Sequence, residues 1–136
     1  MIHRSTRAQR NDNDHKISHK LVKENDFIFF EALQILKMTS KTSKKKLGKE
    51  IHDAAWASIT RMTTYKAENA GVTVTLVPPE YTSQMCFKCR HIDSRNRNGD
   101  KFLCLSCAHE DHADINAAKN ICWLGLSLRE SCLTAA

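Results

Sequence analysis

Four cysteines in two pairs constrain this chain more than any other feature: Cys86-x-x-Cys89 and Cys104-x-x-Cys107, with fourteen residues between the pairs. Each pair puts two thiolates on one tight knuckle. Two facing knuckles make a tetrahedral sulfur cage for Zn²⁺, with Zn–S distances of about 2.3 Å. A redox cysteine pair occurs once, after a strand and opening a helix, so a doubled pair at ribbon spacing predicts a structural zinc site on Cys86, Cys89, Cys104 and Cys107. The thiolates bind metal only when deprotonated, and the metal supplies much of the segment's folding free energy. His91, His109 and His112 lie close enough to serve as spare ligands, but four cysteines already close the shell. Cys122 and Cys132 stand apart and read as small buried hydrophobes.

At 136 residues and 15.5 kDa, the chain is one domain or one piece of a larger one. With 41% hydrophobic and 26% charged residues it is not a disordered chain. No apolar run approaches the roughly 20 residues that span a bilayer. The opening MIHRSTRAQRNDND has no apolar stretch, so it is not a secretory signal. The expectation is a soluble, cytoplasmic protein with no membrane partner, whose thiols stay reduced instead of forming disulfides.

The net charge of +6 favours a polyanionic partner, and its distribution says more. Residues 1–23, 37–50 and 86–107 are basic. Residues 24–36 hold Glu24, Asp26 and Glu31 with no base, and residues 108–121 hold Glu110, Asp111 and Asp114 against Lys119 alone. Alternating basic segments and small acidic patches suit a protein that grips phosphates and binds divalent cations. The densest positive patch is Lys44, Lys45 and Lys46, with Lys41 and Lys49 beside it, and Arg95 and Arg97 lie between the cysteine pairs; these are the candidate phosphate contacts. No interleaved aromatics suggest base stacking.

Along the chain, the first dozen residues read as frayed. A helix follows over about 14–24 with Ile17, Leu21 and Val22 on its apolar side. Phe27 to Phe30 form a solid apolar run, expected as a strand buried on both faces. Residues 32–36 fit strand or helix equally, and 37–46 read as a lysine-rich loop. Leu47, Ile51, Ala55, Ile59, Met62 and Tyr65 recur at helical spacing, predicting a helix to about Asn69 with Gly71 as its left-handed stop. Val72 to Val77 alternate as a strand, ended by Pro78-Pro79. Asn98-Gly99 signals a two-residue hairpin. A last helix over about 112–124 is capped by Asp111, with Ile115, Ala118, Ile121 or Cys122, and Leu124 facing a core. On their own, Glu31 reads as the first exposed position after a strand, and Asp114 as a residue that stabilises a helix N-terminus.

The stretch from Tyr81-Thr82-Ser83-Gln84 through both knuckles to Asp114-Ile115-Asn116-Ala117-Ala118-Lys119-Asn120-Ile121 resembles the C-terminal signature of the TnpB (OrfB-type) proteins of insertion sequences. The similarity extends to His15-Lys16-Ile17-Ser18, the strand ending in Glu31, Asp53-Ala54-Ala55-Trp56 and Tyr65-Lys66-Ala67-Glu68, covering most of 12–122. It implies an RNA-guided DNA endonuclease related to type V CRISPR effectors. Three carboxylates there hold two Mg²⁺ ions, and Glu31 and Asp114 match the second and third. The implied architecture is α/β: a partial RNase H-like (RuvC-type) fold with an inserted zinc ribbon. Residues 1–80 form the partial RuvC-like region, 81–110 the ribbon, 111–124 the final helix and 125–136 a tail.

Three departures from the family pattern carry expectations. The first carboxylate, an Asp on an earlier strand, has no counterpart; Asp12 and Asp14 precede a helix and do not replace it. The expectation is a truncated copy, inactive alone, with DNA as partner, guide RNA in the full-length context, and self-association through an incomplete sheet. Ala32 stands where the family usually has Asp. Arg90 and Ala108 stand where each knuckle usually carries Gly; that position favours positive φ, so each costs about 1 kcal/mol of strain. The competing reading is a zinc-ribbon module that binds nucleic acid without catalysis and modulates transposition.

Overall fold

The computed structural model describes the backbone of residues 2–32 and 44–134 and the side chains of 6–32 and 54–133. Its element order is α1 (Ile2–Glu24), β1 (Phe27–Glu31), α2 (Lys44–Ala70), β2 (Thr73–Val77), a 3₁₀ turn (Ser94–Asn96), β3 (Arg97–Asn98), β4 (Lys101–Leu103), β5 (Glu110–His112) and α3 (Ala113–Thr134). The chain divides into two compact units, one of residues 1–28 and 33–75, the other of 29–32 and 76–136.

The first unit is a helix pair. α1 starts at Ile2 instead of fraying to residue 14. No Pro or Gly interrupts 2–24, and the Lys16–Asp12 pair at 2.6 Å, one turn apart, supports its exposed side. Among the described side chains of α1 the buried one is Ser18, at 0% exposure, while Ile17 is exposed and Leu21 and Val22 are half-buried. α2 contributes Met62, Thr63 and Ala67 to the buried set. Lys66 Nζ donates to His15 O at 2.8 Å and to Ser18 Oγ at 2.7 Å, pinning the helices together. α2 ends as its sequence dictates: Gly71 takes φ +72, and Val72 N donates to Ala67 O at 2.9 Å, the long bond of a Schellman stop.

β1 and β2 pair. Asp26 O accepts from Thr73 N at 3.2 Å in the first unit, and Val77 O accepts from Ala32 N at 2.8 Å in the second. Both partners advance together, so the strands are parallel. β1 alternates instead of being buried on both faces: Ile28 and Phe30 are buried, Phe27 and Phe29 only half-buried. The region expected as ambiguous (32–36) and the lysine-rich loop lie, from residue 33 to 43, outside the described residues; Lys44, Lys45 and Lys46 instead open α2.

The second unit is built on the cysteine segment. β3, β4 and β5 form an antiparallel sheet, with Asn98 opposite Lys101 and Phe102 opposite Asp111. The hairpin turn is therefore Gly99-Asp100, one residue later than Asn98-Gly99 suggested, with Gly99 at φ +60 supplying the left-handed position. Cys86, Phe102, Cys104 and Ala113 form the apolar cluster.

α3 departs most from expectation. It runs to Thr134, so the weakly patterned tail is helical. Its buried face is Ala113, Asn116, Asn120 and Gly125, whereas Ile115, Ala118 and Cys122 are exposed and Ile121 and Leu124 half-buried. Cys132 is exposed as well. Gly125 is fixed by space: a Cβ there would overlap the Phe29 ring. Asp111 does not cap α3. It lies in β5, and His112 Nδ1 accepts from Asp114 N at 3.3 Å in that role.

Candidate metal centre and its surroundings

The two knuckles share one backbone. Cys86 N donates to His91 O and Arg90 N to Cys86 O, both at 2.9 Å; Cys104 N donates to His109 O and Ala108 N to Cys104 O, again at 2.9 Å. Arg90 and Ala108 both sit in the left-handed region, at φ 65 and φ 57. The glycine-favouring position expected from the sequence is real, and two non-glycine residues occupy it.

The four thiols converge. Cys86 and Cys107 Sγ are 3.8 Å apart, Cys89 and Cys104 Sγ are 3.5 Å apart, and all four lie within 4.8 Å of one another. A tetrahedral centre with metal–sulfur bonds of about 2.3 Å has edges of about 3.8 Å, so the cage has the size of a Zn²⁺ shell. Its electrostatics favour a cation. Burial raises the Cys104 thiol, yet the amides of Cys107 and Ser106 bring it down to about 6. The His109 amide lowers Cys107, but burial and its bonds to the other thiols hold it up at about 12. Burial raises Cys86. One thiolate forms readily and opposes the rest; a divalent ion relieves that repulsion and lets all four ionise. Four such thiols can bind a metal such as zinc.

Three buried asparagines hold the knuckles. Asn116 Oδ1 accepts from Phe87 N at 3.0 Å, and its Nδ2 donates to Met85 O at 2.8 Å. Asn120 Nδ2 donates to Thr82 O at 2.9 Å and Met85 O at 2.7 Å, and its Oδ1 accepts from Arg90 Nη1 at 3.2 Å. Asn96 Oδ1 accepts from Leu105 N at 3.0 Å, while Nδ2 reaches Gln84 O at 3.0 Å and His91 O at 3.4 Å. The Arg90 guanidinium lies 4.0 Å from the Trp123 ring and 4.9 Å from Phe87, which helps to offset its strained backbone.

The family model described as Cas12f1-like, TNB domain matches residues 56–121. The chain is 35% identical over 114 residues to the CRISPR-associated endodeoxyribonuclease Cas12f1 of Sulfoacidibacillus thermotolerans, covering 82% of this chain and 26% of that protein. It is 32% identical over 125 residues to InsQ of Escherichia coli (strain K12), a TnpB-type protein, covering 82% of this chain and 31% of InsQ. The family model and these relatives together support a member of the TnpB family. It spans about a quarter to a third of the length of these relatives. Its fold is similar to that of Cas12f1 in a complex with sgRNA and target DNA (TM-score 0.63, 20% identity, 87% of this chain and 34% of that one). It is also similar to the mini-RNA-guided endonuclease CRISPR-Cas_phi3 (TM-score 0.67, 20% identity, 91% of this chain and 20% of that one).

Set against the TnpB signature, the two carboxylates occupy well-defined places. Glu31 ends β1 and its Oε1 accepts from the Thr82 hydroxyl, whose oxygen lies 3.2 Å from Pro79 O. Asp114 is in the first turn of α3, largely exposed, and accepts from Arg97 Nη2 at 2.9 Å. Among the described residues, only the four cysteines gather three or more metal-capable side chains in one place, so Glu31 and Asp114 are not part of a carboxylate cluster.

The ribbon arginines are engaged locally. Arg95 donates through Nε and Nη2 to Asp93 at 3.0 and 2.7 Å, holding that carboxyl down at about 2, and Arg97 pairs with Asp114. The side chains of Lys44, Lys45 and Lys46 lie outside the described residues. Among the described residues, His109 Nε2 is buried with no hydrogen-bond partner, 3.8 Å from Asp111. Reasoning from apolar periodicity missed Asn96, Asn116 and Asn120. The four-residue spacing of Asn116 and Asn120 within the signature was the signal for one polar helix face.

Proposed function

We propose that this chain is the zinc-ribbon and nuclease-side segment of a TnpB-type, RNA-guided DNA endonuclease with a RuvC-like core. The supporting observation is the four-thiol cage joined to α3, whose first turn carries Asp114 and whose buried asparagines grip the first knuckle. Zinc belongs at Cys86, Cys89, Cys104 and Cys107 and has a structural role: four protein ligands close the shell and leave no position for substrate. DNA and guide RNA are the proposed partners, in line with relatives named for DNA or RNA-guided DNA cleavage.

Glu31 and Asp114 are the proposed catalytic carboxylates. Magnesium bound between such groups would activate water and stabilise the leaving oxygen of a phosphodiester. The residues described here do not make up that centre: Glu31 is held by Thr82, Asp114 by Arg97, and no third carboxylate joins them. The 136-residue chain alone is therefore proposed to cut nothing. Self-association through a β1 or β2 edge belongs to the same reading. A second reading, a ribbon that binds nucleic acid without catalysis, is favoured by the Arg97–Asp114 pair, which ties up the carboxylate.

The test is the purified, zinc-loaded chain incubated with Mg²⁺ and plasmid DNA. One zinc per chain and intact plasmid are expected. Cleavage that is lost in Asp114→Ala would overturn the claim of inactivity, and adding the rest of a TnpB-type nuclease as a second chain separates the two readings, since only the first then gains cleavage.

A further inference from the structure

Among the described residues, three arginines stand without an ion pair where α1 meets α2. Arg7 and Arg10, three positions apart on one face of α1, and Arg61 of α2 line a groove of about 1140 Å³ with Asn11, Ser58 and Asp14. All three arginines are exposed, and among the described residues none makes an ion pair. Among the described residues Asp14 is the single acid in the lining, and the nearby Asp12 is taken up by Lys16. The walls are fixed, because Lys66 ties α2 to His15 and Ser18 of α1. Guanidinium forks on two fixed walls, with amide and hydroxyl groups between them, suit a ligand carrying an anion at each repeat. The ribbon arginines lack that freedom, since Asp93 and Asp114 already neutralise them.

We infer that the α1–α2 groove binds the phosphate backbone of a nucleic acid through Arg7, Arg10 and Arg61. The inference rests on the nucleic-acid reading above and assigns it a site. Fluorescence anisotropy with the zinc-loaded full chain and labelled single-stranded RNA and DNA, between about 50 and 200 mM salt, tests it. The triple variant R7Q/R10Q/R61Q is expected to flatten the slope of log K against log salt by about 2, near 0.7 per lost contact. The arm with the larger loss identifies the strand. Asp14→Asn is expected to tighten binding. An unchanged slope in the triple variant, or equal competition by polyglutamate, would overturn the groove. If the triple variant loses helix by circular dichroism, Asp14→Asn decides, and unchanged affinity there overturns it. Wild-type protein that binds neither strand would instead defeat the broader nucleic-acid reading.

Discussion

The two cysteine knuckles have one backbone and two kinds of support. Each repeats the same pair of bonds, each places the residue after its second cysteine at positive φ, and in each the amide after the first cysteine donates to an asparagine Oδ1. For the first knuckle that asparagine is Asn116, on α3. For the second it is Asn96, inside the ribbon itself. Asn120 and the stacked Arg90 reinforce only the first knuckle. Cysteine spacing thus sets knuckle geometry, whereas α3 decides which knuckle is anchored to the rest of the second unit.

The largest effect expected is one that abolishes the comparison. Cys86→Ser or Cys107→Ser removes a ligand, and either should reduce zinc content from one per chain to near zero by native mass spectrometry and unfold both knuckles together. Acid does the same, since protons compete for the thiolates, so zinc retention should fall with falling pH.

Next, Asn120→Ala should destabilise the zinc-loaded chain by about 3 kcal/mol and Asn116→Ala by about 2 kcal/mol in urea unfolding, because the buried carbonyls of Thr82 and Met85 and the Phe87 amide lose partners. Equal tolerance of both changes would mean that the anchoring by α3 is not what distinguishes the first knuckle.

Smaller still, Ala108→Gly should stabilise by about 1 kcal/mol through relief of left-handed strain. Arg90→Gly relieves the same strain but forfeits the Trp123 stacking and the Asn120 bond, so it should give no gain. A gain of equal size at both sites would erase the asymmetry.

The smallest effect is electrostatic. Hydrogen bonds from Arg95 pull Asp93 down to about 2, and a bond from Lys119 lowers Asp111. A carboxylate lowered on folding adds stability above its ordinary range near 3.8, and that contribution fades as pH falls toward the folded value. Arg95→Gln should return Asp93 toward its ordinary range in an NMR titration while leaving Asp111 unmoved.

What the sequence made legible was chiefly chemistry with fixed spacing. The cage followed from the two C-x-x-C pairs, the end of α2 from Gly71, the strand 72–77 from its alternation, and the positive φ at Arg90 and Ala108 from the family's glycines. The inner face of α3 was not legible, because periodicity counts apolar residues and this helix buries Asn116 and Asn120 against backbone groups. Asp111 as a cap failed for a related reason: an aspartate before a helix suggests a cap, but here β5 takes it as a ladder residue and Lys119 claims its carboxylate. The early start of α1 was hidden because its described residues bury Ser18 and show no apolar stripe.

Asn96 has a consequence for how fast and how tightly the cage fills. Its one amide spans both knuckles, accepting from Leu105 and donating to Gln84 and His91. A metal ion caught by either cysteine pair then meets the other pair at the high local concentration of a chelate, not at the end of a free loop. The bridge thus favours an ion held by both pairs over an ion held by one.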